Sequence, residues 1–279
     1  LCGYAKFCWG AKRIQRDIVE AMSESSIERS TQGGSAAEPT WYWKLDFDLL
    51  KEAAEIRKRD PKEFRGAVLT FFGFGGRDDG PILDRMRANP KGAEILRDRR
   101  PLAPGIMDPT GLADLPEGSL GRAYYEHCRH NGLDPQFLST ESEKVADEFP
   151  ATEEHRYIYA RHRDCHDFWH VLTGYGIDMA GEAGILAWTY AQVRNKGYLL
   201  ITLLNAVMCT RRGRPDVFKT VWQGYRSGRR SPLVMAIDWE PYLARPLEEV
   251  RRELGIEAAP SYSIFHMTDV PGAPDELPN

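Results

Sequence analysis

Apolar residues recur along most of the chain at three- and four-residue intervals, the period of helices with one buried face. Lys6 to Met22 reads as a basic, moderately amphipathic helix, and the polar stretch Ser23 to Thr40, with Gly33-Gly34, reads as a linker. Leu45, Leu49, Ala53 and Ile56 mark a helix within Trp41 to Arg59. Asp60-Pro61 has the chemistry of an N-cap followed by proline at the first helical position, which predicts a helix to about Phe72. Gly73, Gly75, Gly76 and Gly80 then predict a loop. Shorter helices are predicted over Ile82 to Ala88 and Lys91 to Arg100, before a proline-bearing connection from Pro101 to Pro116. Ser119 opens a helix to Asn131, with Gly132 at its end and Pro135 just beyond. The longest helical region, Ala151 to Thr210, is broken at Gly174 and Gly176, and helices from Pro215 to Gly228 and Leu247 to Leu254 follow. Alternating strand patterns are almost absent. The expected fold is all-α: a single compact multi-helix domain over residues 41–258. A helical extension and linker over 1–40 precede it, and a proline-rich tail over 259–279 is expected at the surface.

Composition narrows the function. The 279 residues carry 37 basic and 41 acidic side chains, a net charge of −4, which argues against a nucleic-acid-binding domain. No run of about 18 apolar residues occurs, so no membrane-spanning helix is expected. Cys2, Cys8, Cys128, Cys165 and Cys209 form no C-x-x-C pair, which points to a reducing compartment and against a cysteine-type zinc site.

The candidate chemistry lies in His166-Asp167-Phe168-Trp169-His170, followed eleven residues later by Glu182. On a helix, with His166 at zero, His170 falls at about 40° and Asp167 at about 100°. The three ligand-type side chains share one arc, and Tyr159 and Arg163 extend it backwards. Ile158, Cys165, Trp169 and Leu172 form the opposite, apolar stripe. The turn from Thr173 to Asp178 reverses the chain, with Asp178 as cap of the next helix, and sets Glu182 beside His170. Glu182 shares its face with Ile185, Leu186 and Val193, where a carboxylate is costly to bury unless a cation compensates it. Two imidazoles and two carboxylates suit a divalent metal: Zn²⁺ first, with Fe²⁺ or Mn²⁺ as alternatives. The competing reading is a pair of core histidines with ordinary salt bridges. A zincin protease fits poorly, because Asp167 stands where its general-base Glu belongs, and an HD-type phosphohydrolase needs further ligands.

His166-Asp167-x-x-His170-x₁₁-Glu182 resembles the signature of the ubiquinone (coenzyme Q) biosynthesis protein 4 family. Leu115-Pro-Glu-Gly-Ser-Leu-Gly-Arg-Ala-Tyr-Tyr125, running on to Asn131-Gly-Leu-Asp-Pro135, resembles the family's entry helix. Arg226-Ser-Gly-Arg-Arg230, Ile237-Asp-Trp-Glu240 and Pro246 to Gly255 resemble its C-terminal region, so the likeness spans about Pro81 to Gly255. The resemblance implies an all-helical fold, often dimeric, and zinc ligands at His166, Asp167, His170 and Glu182. It also implies loss of the C1 carboxylate from a polyprenylated 4-hydroxy-3-methoxybenzoate, in a simple or an oxidative form. Asp167, Arg163 and Tyr159 are then candidates for proton donor or charge partner. The implied partners are an anionic membrane surface and other ubiquinone-pathway proteins. The implied place is the surface of an inner membrane, on the bacterial cytoplasmic or mitochondrial matrix face. The alternative is a non-enzymatic lipid-binding scaffold that organises a ubiquinone biosynthesis complex.

Other features carry less. Arg211, Arg212, Arg214, Arg226, Arg229 and Arg230 flank one helix, either as a solvated face or as a contact for anionic headgroups. Leu199 to Met208 reads as core before it reads as a prenyl channel. Gly73 to Asp78 follows no strand and is no dinucleotide loop. His127 and His130 read as surface or packing histidines.

Overall fold

Local capping chemistry sets most helix starts in the computed structural model, which describes residues 44–60 and 63–266. The helices are α1 (Phe47–Arg59), α2 (Phe64–Gly73), α3 (Gly80–Ala88), α4 (Pro90–Asp98), α5 (Pro104–Met107), α6 (Leu120–Asn131) and α7 (Pro135–Ala146). They continue as α8 (Glu153–Asp164), α9 (His166–Thr173), α10 (Met179–Val193), α11 (Lys196–Arg211), α12 (Val217–Arg230) and α13 (Leu247–Leu254). No strand occurs among the described residues, and Ser119 and Pro246 make an isolated bridge. The fold is all-α. The helix expected over Lys6 to Met22, the linker after it and the chain beyond residue 266 lie outside the described residues.

Several boundaries follow the sequence closely. The Ser119 hydroxyl accepts from Arg122 N–H at the start of α6, and Gly132 ends that helix at φ +62. Three expectations change. Asp60 does not open a helix; its N–H still donates to Ile56 O, so it closes α1, and α2 starts at Phe64. Pro135 does more than stop α6: Asp134 accepts from Phe137 N–H, and proline at the first helical position opens α7, which the sequence reading missed. The long region from Ala151 is four helices. One break falls at Arg194, a non-glycine residue at φ +61, after which Asn195 caps α11 through Gly197 N–H.

α10 is the axis of the fold and is buried along almost its whole length. α12 lies directly against it because glycines remove the side chains between them. A Cβ on Gly224 would stand 2.2 Å from the carbonyl oxygen of Gly184, and one on Gly228 would stand 2.6 Å from that of Trp188. Trp169 of α9 meets Trp188 of α10 edge to face at 5.5 Å, locking the two helices in rotation.

The turn between α9 and α10 is fastened from outside. Arg251 of α13 donates to the carbonyl oxygens of Leu172 and Val171, satisfying the C-terminal end of α9. The start of the tail also takes part, although it was expected simply to lie at the surface. Tyr262 Oη donates to Asp178 Oδ2 at 2.9 Å and accepts from Gly176 N–H at 2.8 Å. Phe265, itself buried, pairs its backbone with Asp178 and Met179. Asp178 therefore caps α10 and anchors residues 262–265 at once.

Candidate metal centre

α9 is eight residues long, and seven of them are buried, including His166, Asp167 and His170. Helical spacing stacks the two imidazoles one turn apart, with their Nε2 atoms 3.3 Å from each other and their rings at 89°. Ligand atoms of His166, Asp167 and His170 all lie within 4.8 Å of one another. From α10, Glu182 Oε1 stands 3.5 Å from His170 Nε2 and Oε2 stands 3.9 Å from His166 Nε2. The turn held by Asp178, Tyr262 and Arg251 thus brings Glu182 across to the two histidines.

The chemistry of this set fits a divalent cation. Two nitrogens bound tetrahedrally at about 2.0–2.1 Å from zinc lie about 3.3 Å apart, which matches the observed Nε2 separation. His170 Nδ1 donates to the carbonyl oxygen of Tyr175 at 2.9 Å, so its Nε2 carries the free lone pair. Burial pushes the His166 imidazole down to about 3 and that of His170 to about 4, so both are neutral near pH 7. Glu182 is 1% exposed, and neither carboxylate oxygen has a hydrogen-bond partner. Its burial raises its pKa. An acid with two orphaned oxygens facing two imidazole nitrogens is the arrangement a cation resolves and hydrocarbon packing does not.

Tyr159 and Arg163 have partners outside the cluster of His166, Asp167, His170 and Glu182. Tyr159 and Arg163 are on α8, which ends at Asp164 before α9 begins at His166. The Tyr159 hydroxyl pairs with that of Ser142 on α7 at 3.0 Å. Arg163 donates to the Asp164 carboxylate and to Ser139 Oγ, also on α7. They share an arc with the histidines in projection, but the structure gives them partners on α7. One residue enters that the sequence reading set aside. The ring of His127 on α6 stacks on that of His170, 18° from parallel and 5.8 Å between centroids. His130 is exposed, as expected. The signal for His127 was its place three residues after Tyr124, on the flank of α6 that buries Leu120 and Tyr124.

Residues 80–260 match the family described as coenzyme Q (ubiquinone) biosynthesis protein Coq4. The chain belongs to the Coq4 family. The matched region contains all four candidate ligands and His127. Among curated Coq4 relatives, a ubiquinone biosynthesis protein named as mitochondrial from Botryotinia fuckeliana is 34% identical over 180 residues, covering 63% of this chain and 61% of that protein. The Paracoccidioides brasiliensis protein is 32% identical over 184 residues, covering 64% and 61%. The Rattus norvegicus homologue is 31% identical over 183 residues, covering 65% and 66%. The match thus spans somewhat under two thirds of these relatives' length. The crystal structure of a Nostoc punctiforme protein described as a ubiquinone biosynthesis protein shares the fold, with TM-score 0.55 and 20% identity over 77% of this chain and all of that one.

Proposed function

We propose that this Coq4-family chain is a metal-dependent enzyme of ubiquinone biosynthesis, removing the C1 carboxylate of a 4-hydroxy-3-methoxy-5-polyprenylbenzoate. The observation that carries the reading is the buried, unpartnered Glu182 carboxylate facing the Nε2 atoms of His166 and His170. Together with Asp167 they form the set that would hold the ion, Zn²⁺ in the first instance and Fe²⁺ or Mn²⁺ otherwise. Such an ion supplies Lewis-acid polarisation of the substrate's carboxylate or ring oxygen.

The ring chemistry is balanced without a further reagent in its simple form. A proton adds to C1 as the para hydroxyl loses its own, giving a dienone. The C1–carboxylate bond then breaks, carbon dioxide leaves, and the bond's electrons restore the aromatic ring as a phenolate, which takes back the proton the hydroxyl gave up. The chain's part is to exclude water, hold the carboxylate end among neutral imidazoles and deliver the proton. Asp167 in the centre, and Tyr159 and Arg163 with their partners on α7, are the candidates for proton donor or charge partner.

A prenylated substrate resides in a bilayer, and the exposed face of α12 suits a headgroup surface. Phe218 and Trp222 on α12 are 44% and 58% exposed, and Leu203 and Val207 on α11 are exposed as well. Lys219, Arg226 and Arg229 lie exposed on the same helix as the two aromatic residues. No described helix is long and apolar enough to cross a membrane. We place the chain at an inner-membrane surface, on the matrix side where the organism is mitochondrial, with other ubiquinone biosynthesis proteins and a second copy as partners.

The test is to incubate the metal-loaded protein with prenylated substrate, with and without oxygen, and identify the products. Anaerobic release of carbon dioxide supports simple decarboxylation. Turnover confined to oxygen assigns the oxidative form and a redox-active metal, since zinc has no redox chemistry. No turnover in either condition leaves the scaffold reading.

A further inference from the structure

His127 is peripheral to the ligand set by sequence but adjacent to it in space. Its ring stacks on that of His170. Its Nε2 is buried and has no hydrogen-bond partner. The tautomer follows from Asn131, one turn later on α6. The Asn131 amide nitrogen donates to the carbonyl oxygen of His127 at 2.8 Å, which fixes the orientation of the amide, and faces His127 Nδ1 at 3.4 Å. An amide nitrogen only donates, so Nδ1 accepts and the neutral ring carries its hydrogen on Nε2. The result is a buried N–H without an acceptor, beside a centre read as metal-binding. Buried donors of this kind are costly unless a ligand or water completes them.

We propose that the Nε2–H of His127 is a ligand-positioning donor, hydrogen-bonding an anionic oxygen of an aromatic carboxylate held at the His166, Asp167, His170 and Glu182 centre. This rests on the metal-dependent reading above. In this tautomer His127 is a donor and not a metal ligand: Nε2 carries the hydrogen and Nδ1 faces the Asn131 amide. Stacking and the Asn131 contact hold the donor at a fixed angle, so it discriminates by orientation as well as by charge.

The experiment uses the full chain loaded with Co²⁺, whose visible spectrum reports on the coordinated ion, titrated with 4-hydroxybenzoate as the probe. His127→Phe keeps a flat ring against His170 and removes the N–H. His127→Gln replaces the ring by an amide whose nitrogen approximates the position of Nε2. The parent is expected to take up Co²⁺ and to bind the probe with a spectral change. His127→Phe should retain Co²⁺ affinity and bind the probe at least about tenfold more weakly, the scale of a hydrogen bond to a charged group. His127→Gln should recover much of that loss. Equal probe affinity in parent and His127→Phe overturns the proposal, and so does a parent that holds Co²⁺ without binding the probe. Loss of Co²⁺ from both variants makes His127 a ligand and also overturns it. A parent that takes up no Co²⁺ removes the metal reading itself, and this inference with it.

Discussion

His170 Nδ1 donates to the carbonyl oxygen of Tyr175, and this single bond at 2.9 Å points the Nε2 lone pair toward Glu182 Oε1, 3.5 Å away. Nitrogen NMR of labelled histidine should therefore find His170 protonated on Nδ1 only. The same neutrality makes the fold acid-sensitive. Burial holds His162 and His166 down to about 3 and His170 to about 4, against about 6.5 for a free imidazole. These groups bind protons in the unfolded chain before they do so in the folded one. Stability is thus fully present above pH 6.5 and falls as the pH drops toward 4. Thermal melts across that window should show a steady loss, with release of bound metal over the same range.

Asp79 acts in the opposite direction. It is 2% exposed, and burial raises its pKa to about 7 from the ordinary carboxylate range, opposed by a side-chain hydrogen bond with Asn195. A raised folded-state value means that its favourable contribution is present below about pH 4 and is lost as pH rises through 7. Asp79→Asn should gain on the parent by up to about 1.4 kcal/mol per pH unit between pH 4 and 7, then hold a constant margin. Denaturant titrations at pH 4, 5.5, 7 and 8.5 check this; a margin that does not grow with pH contradicts it.

The α10–α12 contact predicts sensitivity to a single methyl group. Gly224→Ala brings a Cβ against the carbonyl oxygen of Gly184, which is backbone and has no rotamer to yield. A loss of about 1–3 kcal/mol is expected, with α10 and Glu182 displaced. Gly111→Ala, where a Cβ meets nothing within 4 Å, is the matched control and should change stability little.

The proposed membrane contact through α12 draws on both its aromatic and its basic residues. Sedimentation with anionic vesicles should recover the parent at low salt and release it at high salt. Reversing the charge of Arg226 and Arg229 should weaken binding, each basic residue contributing about 1 kcal/mol near a charged surface. Trp222→Ser should weaken it also on neutral vesicles. Binding indifferent to all three changes would exclude this face.

The helical fold was legible because local signals agree with burial: Ser119, Gly132, Asp178 and the Trp169 stripe all do what their chemistry proposes. The breaks at Asp60, Pro135 and Arg194 were not. Asp-Pro, at 60–61 and 134–135, reads the same way at the end of one helix and at the start of the next, and only the backbone hydrogen bonds decide between them. The meeting of Glu182 with His166 and His170 was legible because the residues lie on one helix and across one turn. His127 was not, because its meeting with His170 depends on how α6 docks against α9. For Tyr159 and Arg163, an arc in projection said nothing of their partners, Ser142, Asp164 and Ser139, which depend on how α7 packs against α8.

The most direct measurement is metal content and melting of the parent and of Glu182→Gln, with and without chelator. The parent should carry about one divalent ion per chain and melt lower once stripped. Glu182→Gln should hold the metal more weakly, having lost an anionic ligand. Stripped of metal it should be at least as stable as the stripped parent, and by about 1–3 kcal/mol more so at neutral pH, because the amide is cheaper to bury than an uncompensated carboxylate. A parent whose melting ignores chelator, together with a Glu182→Gln protein that keeps full metal, would make Glu182 an ordinary helix carboxylate and contradict the four-residue centre.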